Sequence, residues 1–447
     1  MKLVYNIKDK PKFGQLIVFA FQQLLAILAA TIAVPSIIGN GMSQSAALFG
    51  AGVGTIVYLL FTKFRSPVFL GSSFAFIGSM FAAFGGAVST AAGHAGLIIG
   101  AAFAALVYVV IAIVIKFVGV EWLNKLMPAV VIGPTVAIIG LSLAGNAVGD
   151  ALKFATNNGS AYEMSAHGWV GFICALVTLL TVMLCSVYGK KMAKLIPFII
   201  GILAGYAVAA IFTVIGIKTS NEALQVIDFS IFSNMKWLPD FTFLKAVKGF
   251  AEIDGKYIAT IAVAYVPVAF VVFAEHIADH KNLSSIIDKD LLADPGLHRT
   301  LLGDGIGSLA GSIFGGCPNT TYGESVGCVA ITGNASVVTI LATAIIAIII
   351  SFFGPFVTFL SSIPSCVMGG VCITLYGFIA VSGLKMIQGV DLGENKNLFV
   401  VSTILITGIG GMALKIGQVT LTSVACALIL GIIVNILLSR KDKKASK

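Results

Sequence analysis

The sequence predicts an all-α polytopic membrane protein of fourteen transmembrane segments in a seven-plus-seven inverted repeat. Three observations predict it: a composition too apolar for a water-soluble core, Lys and Arg gathered in short clusters between apolar runs, and stretches that recur half a chain apart.

Of 447 residues, 58% are hydrophobic and 11% charged, with a mean hydropathy of +1.02. A soluble domain carries about 25% charged residues, and no single core of this length could bury so much apolar surface. Lipid is the alternative solvent, where each spanning helix needs roughly 20 apolar residues. Long continuous apolar runs, without alternation at every second residue, favour helices over a barrel. A net charge of +9 could suggest nucleic acid, but its distribution argues against that partner. Lys8, Lys10 and Lys12, Lys63 and Arg65, Lys190, Lys191 and Lys194, and Arg440, Lys441, Lys443 and Lys444 form short clusters between apolar runs, the pattern that sets membrane orientation. The first apolar run is too long for a removable signal peptide and lacks a small-residue cleavage site. Seven cysteines show no CxxC spacing and read as small hydrophobes, neither disulfides nor metal ligands.

Spanning segments are expected near 14–36, 44–62, 67–84, 96–117, 128–147, 168–188, 195–216, 256–278, 297–314, 318–333, 336–354, 363–384, 396–414 and 418–439. With the N-terminus inside, most Lys and Arg fall on the cytoplasmic side of an inner membrane. The outer loops at 37–43 and 85–95 then hold none. An even count places both termini in the cytoplasm. The repeat is read from Ala47–Thr55 against Thr300–Ser308, where Gly50, Gly52 and Gly54 match Gly303, Gly305 and Gly307. Pro128, Gly133, Gly140 and Gly145 likewise match Pro364, Gly369, Gly377 and Gly383. Seven crossings per half is odd, so the second half inserts upside down, as in secondary transporters that bind at a midplane of broken helices.

Two segments look broken, the third of each half. Val68-Phe-Leu-Gly-Ser-Ser-Phe-Ala-Phe76 follows Pro67, and Asn319-Thr-Thr-Tyr-Gly-Glu-Ser325 follows Pro318. Extended backbone at membrane depth survives only when it is buried in protein or lines a cavity. Half-helices starting there aim free N–H groups and positive dipole ends at that cavity. Four acids fall within apolar runs: Glu275, Asp279, Asp304 and Glu324. Intramembrane acids are expensive and mark function, and no Lys or Arg lies deep enough to pair with them. Glu275 and Asp279, four apart, share a helix face. Two carboxylates that close cannot both ionise cheaply, which makes the pair a candidate proton carrier. His276 and His280 read as interfacial histidines near the cytoplasmic end. One helix cannot complete a metal shell, so no metal is expected.

Gly71-Ser-Ser-Phe-Ala-Phe76, Ala274-Glu-His-Ile-Ala-Asp279, Asp294-Pro-Gly-Leu-His-Arg299 and Pro318-Asn-Thr-Thr-Tyr-Gly-Glu324 resemble the nucleobase–cation symporters of the uracil and xanthine permease group. The resemblance covers essentially the whole chain, and the last motif looks like the uracil branch; the alternative is a purine permease on the same fold, whose members typically carry Gln or Asn where Glu324 stands. It implies transport of a nucleobase with a proton as coupling ion, no cofactor, and no enzymatic activity. It implies a core domain (14–117 and 256–354) and a gate domain (118–216 and 355–439), with a cytoplasmic tail at 1–13, an extracytoplasmic loop at 217–255 and a basic cytoplasmic tail at 440–447. Short antiparallel strands in segments three and ten would meet at the substrate.

Carried over motif by motif, Glu275 and Glu324 would accept from ring N–H groups. Backbone N–H groups around Ser73, Phe74 and Gly323 would hold ring carbonyls. Phe74 and Tyr322 would contact the ring, and Ala30 would close one side. Proton coupling would fall to Glu275, Asp279 and Asp304, and a homodimer would form through gate helices. The chain departs from the family pattern at Gln22-Gln23, where Gln-His is common, at Asp279, where some uracil transporters carry His, and at Ser325, which stands for a frequent Asn. An anion exchanger of the sulfate-permease type would need a basic or neutral site where Glu324 stands. A membrane enzyme would need a metal cluster or nucleophile–base pair.

Overall fold

The computed structural model describes residues 3–119, 122, 126–190, 192–416 and 419–439; the expected basic tail at 440–447, and Lys191 of the third basic cluster, lie outside them. The first half contains α1 (Phe13–Ile38), α2 (Gln44–Phe61), strand β1 (Leu70–Ser72), α3 (Ile77–Gly85), α4 (Thr90–Val118), α5 (Ala129–Ser142) and α6 (Ala144–Ala151). A small hairpin, β2 (Thr156–Asn157) and β3 (Tyr162–Glu163), leads to α7 (Ala166–Tyr188), the short α8 (Met192–Leu195) and α9 (Pro197–Thr219). The second half contains α10 (Thr242–Ala246), α11 (Gly255–Ile287), α12 (Leu297–Gly315), strand β4 (Asn319–Thr321), α13 (Gly323–Thr332), α14 (Val337–Ile350) and α15 (Gly354–Ser362). It ends with α16 (Ser365–Met386), α17 (Asn395–Ile409), the hairpin β5 (Leu414–Ile416) and β6 (Val419–Leu421), and α18 (Ser423–Ser439).

Among the described residues, eight helical stretches are long and apolar enough to cross a membrane, counting α5 and α6 together as one. A ninth is possible if α14 and α15, bent by 84°, form one span. The remaining segments expected to cross are broken, short or interrupted by polar residues. Segments three and ten each resolve into a strand followed by a half-length helix. Segment eight is longer than its apolar run: α11 continues to Ile287, where Asp288 takes the left-handed conformation that ends it. Helix starts follow local chemistry. Ser43, Ser89, Ser165 and Asp254 each accept a hydrogen bond from a first-turn N–H, satisfying donors that the helix leaves unpaired.

Packing rests on missing side chains. A Cβ on Gly50 would meet the Gly311 carbonyl oxygen of α12, and one on Gly54 would meet the Gly307 carbonyl. So α2 and α12, which carry the first recurring stretch, touch backbone to backbone. The second recurring stretch behaves likewise: a Cβ on Gly140 of α5 would meet the Tyr376 carbonyl of α16, and one on Gly383 would meet Gly133 and Ala137. Small residues serve membrane helices this way because lipid gives no hydrophobic drive for helix association.

Two segments expected as loop and tail are built into the fold. Phe241, in the 217–255 stretch, packs its ring against Phe49, Phe314 and Phe352 at 4.9, 5.7 and 6.3 Å. Near the N-terminus, Val4 and Tyr5 donate to the Gly333 carbonyl, and Ala335 and Val337 donate to Tyr5 and Ile7. That short parallel bridge pins the start of the chain to the turn after α13.

Candidate functional site

β1 and β4 pair antiparallel in the interior, with Leu70 opposite Thr321, Gly71 opposite Thr320 and Ser72 opposite Asn319. The Ser73 N–H donates to the Pro318 carbonyl at 2.8 Å, and the Tyr322 hydroxyl donates to the Ser72 carbonyl at 2.7 Å. Gly71 is required here because a Cβ would run into the Tyr322 ring. Asn319 ties the ribbon to α2 by donating from Nδ2 to the Gly50 carbonyl at 3.1 Å. The close α2–α12 seam therefore also fixes the strand. Beyond the ribbon the chain enters α3 and α13, whose first N–H groups have no helical partner.

These junctions open onto a cavity of about 370 Å³, toward the lower end of the roughly 300–1,000 Å³ typical of ligand pockets. One wall carries Ser73, Phe74, Thr320, Thr321, Tyr322, Gly323, Glu324, Glu275 and Asp279. The opposite wall comes from α5, α9 and α16 and is almost wholly apolar: Val136, Ile139, Phe198, Leu375, Phe378, Ile379 and Met386, with Ser382 as its hydroxyl. The ring of Phe74 meets that of Tyr376 edge-on at 5.9 Å. Among the described residues, no Lys, Arg or His belongs to the lining.

Six of the seven residues expected at the substrate thus line one cavity. Ala30 is buried in α1 and is not among them. Asp304 also lies outside the lining, enclosed beside α11, where its Oδ2 is 2.7 Å from His276 Nδ1. The histidines require a correction. His276 and His280 are both 0% exposed, because α11 runs past the apolar segment and α2 and α12 cover that face. Their rings stack at 4.0 Å.

Two further contacts escaped the sequence. Thr321 donates to Asp279 Oδ2 at 2.8 Å and so orients that carboxylate from β4. Thr321→Val should leave Asp279 unoriented; about a three- to tenfold loss of ligand affinity, measured by binding to purified protein, is expected from removing one ordinary hydrogen bond. In addition, Gln23 Nε2 donates to Ser325 Oγ at 2.5 Å, and that oxygen also accepts from the Phe69 N–H at 3.1 Å. The departures at positions 23 and 325 are therefore one contact, joining α1, α13 and the approach to β1. A sequence shows each departure singly, not that the two meet.

A family described as "Permease family" matches residues 14–417. The uracil permease of Bacillus caldolyticus is 40% identical over 449 residues, covering 99% of this chain and 96% of that protein. The uracil permease of Bacillus subtilis strain 168 is 37% identical over 451 residues, with 99% and 97% covered. That of Escherichia coli K12 is 33% identical, with 96% and 92% covered. Among solved structures, the transmembrane domain of a cyanobacterium bicarbonate transporter, BicA, superposes with a TM-score of 0.62 at 15% identity, over 96% of this chain and 100% of that one. Murine Solute Carrier 26 family member A9, an anion transporter, gives 0.67 at 12% identity, over 97% and 69%. At such identities the likeness is one of fold. With its motifs, its paired broken segments and these full-length relatives in agreement, the chain belongs to the uracil and xanthine permease group, as a multi-pass membrane transporter and not an enzyme.

Proposed function

We propose that this protein imports uracil, or a close pyrimidine base, together with a proton by alternating access. One observation carries the reading: a polar wall of carboxylates and half-helix starts faces an apolar wall across a single cavity. Uracil is small, flat and neutral, with N–H donors alternating with carbonyl acceptors. Carboxylates of Glu275 and Glu324 suit the donors, and the unpaired N–H groups around Phe74 and Gly323 suit the acceptors. An anion site would want cations, and the lining has none.

The polar wall belongs to segments 1–4 and 8–11 and the apolar wall to segments 5–7 and 12–14, which favours a core moving against a gate. Fourteen crossings, the inverted repeat, cytoplasmic termini at the inner membrane and a homodimer through gate helices complete the proposal. Three carboxylates around one cavity repel one another as anions, and a proton on the Glu275–Asp279 pair relieves this while substrate is bound. Loss of that proton to the cytoplasm then weakens binding.

Uptake of radiolabelled uracil into proteoliposomes, with and without an inward proton gradient, tests the reading. Gradient-driven accumulation, competed by uracil and not by xanthine, is expected. Equilibration without accumulation would remove the proton, and absence of uptake by an active preparation would remove uracil. Glu324→Ala should weaken uracil binding by about 10- to 100-fold, as expected for a hydrogen bond to a charged group. Wild-type affinity in that variant would remove Glu324 from the ligand set.

A further inference from the structure

Behind the polar wall, on the face of α11 turned away from the cavity, lies a second set of titratable groups. His276 Nδ1 is 2.7 Å from Asp304 Oδ2, and His276 Nε2 is 2.9 Å from Thr300 Oγ1. The Thr300 hydroxyl donates to the Leu297 carbonyl at 3.1 Å, so toward His276 it offers a lone pair. His276 must then carry its hydrogen on Nε2. The short Nδ1–Oδ2 contact still needs one proton between its atoms. It is either a neutral imidazole with a carboxylic acid or an imidazolium with a carboxylate. In both descriptions the pair is neutral as a unit and holds one exchangeable proton.

The surroundings reinforce that accounting. His276 and Asp304 are both 0% exposed, and Asp304 Oδ1 has no hydrogen-bond partner. An unpartnered carboxylate oxygen in an apolar interior is costly when its group is charged and uncompensated. His280 Nδ1 lies 2.8 Å from the His276 carbonyl, which can only accept, so that nitrogen bears hydrogen. Its Nε2 lies 2.7 Å from the Tyr58 hydroxyl, which itself donates to Ser66 Oγ at 2.7 Å.

The other titratable groups facing the pair are Glu275 and Asp279 on α11, Tyr58 on α2 and Tyr108 on α4, against whose ring Gly305 of α12 packs. Among the described residues, Lys281 is a cation on α11 itself, next to His280, and its side chain is exposed. Lys116 is in the last turn of α4, His298 stands at the start of α12, and half-buried Arg299 reaches the Phe61 carbonyl at 3.5 Å.

We infer that His276 and Asp304 form a second proton-holding site, distinct from the Glu275–Asp279 pair, whose occupancy locks α11 against α12. Loss of its proton would leave an uncompensated anion in the interior, so release requires α11 and α12 to separate or water to enter. Proton release and movement of the helix bearing Glu275 become one event. The site itself stands independently of the substrate; its link to uptake rests on the proposed proton-coupled reading.

The test uses purified full-length protein and the variants Asp304→Asn and His276→Gln. Infrared spectra at neutral pH should show either a carboxylic-acid carbonyl band or an imidazolium–carboxylate signature in the wild type, which Asp304→Asn loses and His276→Gln shifts. In liposomes, both variants should keep uracil counterflow, which needs no net proton movement, within about threefold, and lose gradient-driven accumulation by about tenfold or more, the scale of a coupling between two sites. Identical infrared bands in wild type and folded Asp304→Asn would overturn the inference, as would wild-type accumulation by both variants or loss of counterflow in both. A wild type without uracil counterflow would instead reject the uracil reading, and the infrared result would still decide the proton site.

Discussion

Glu275→Gln is expected to abolish uracil accumulation, by about 100-fold or more, while the protein still reaches the membrane at wild-type levels. Glu275 lines the cavity with Asp279, Glu324 and the start of α13, and its carboxylate offers acceptors only. An amide in its place can turn a donor toward a ring N–H, and a site built on hydrogen bonds rejects mismatches by large factors. The same change removes one member of the carboxylate pair that would carry the proton. Uptake in cells or proteoliposomes, normalised to protein detected in the membrane, measures it. Full accumulation by Glu275→Gln would remove both roles at once, whereas retained counterflow with lost accumulation would leave only the proton role.

The second large effect is structural and arises at the α2–α12 seam. In Gly50→Leu the new Cβ would meet the Gly311 carbonyl oxygen and sit 3.1 Å from the Gly315 nitrogen. Both are backbone atoms of α12 and cannot rotate away. Overpacking of this kind costs about 1–3 kcal/mol where side chains can yield, and more where they cannot. Moving α12 would also shift the Gly50 carbonyl from Asn319, and with it β4 and the cavity wall. Poor yield, a broadened size-exclusion peak in detergent and a lowered melting temperature are expected. Gly78→Leu is the control, since no atom lies within 4 Å of a Cβ there. Equal stability of the two variants would show that the α2–α12 seam does not hold the strand.

Much of the site was legible because membrane solvation makes certain residues conspicuous. A carboxylate in an apolar run, as at Glu275, Asp279 and Glu324, has no cheap reason to be there. Pro67 and Pro318, each followed by β-prone and hydroxyl residues, mark segments that cannot be continuous helices. From these came the two broken segments and the intramembrane acids, the family resemblance implied that the two segments pair, and the fold places both around one cavity. The glycine-rich stretches of α2 and α12 were visible as recurring patterns. That they grip each other appears only once a Cβ is tried against a neighbouring backbone.

What the tertiary structure decided concerns facing and length. The apolar run of segment eight stops near residue 278, but α11 persists to Ile287. Hydropathy registers lipid, whereas the last turns of α11 are enclosed by protein. His280 is therefore buried against Tyr58, not at an interface. Asp304 and His276 are 28 residues apart, and only the crossing of α11 and α12 joins them. Gln23 and Ser325 are 302 residues apart, and only the packing of α1 on α13 makes them partners. The apolar wall of Val136, Ile139, Phe198 and Phe378 carried no signal in the sequence. Apolar residues in a membrane helix look alike whether they face lipid, a neighbouring helix or a substrate. The sequence by itself thus determined that this is a membrane transporter with two broken segments and acids within its apolar runs, because charge and backbone in lipid have few permitted forms. Which of those groups share a cavity and which form a separate buried pair was left to packing, which depends on contacts between residues far apart in the chain.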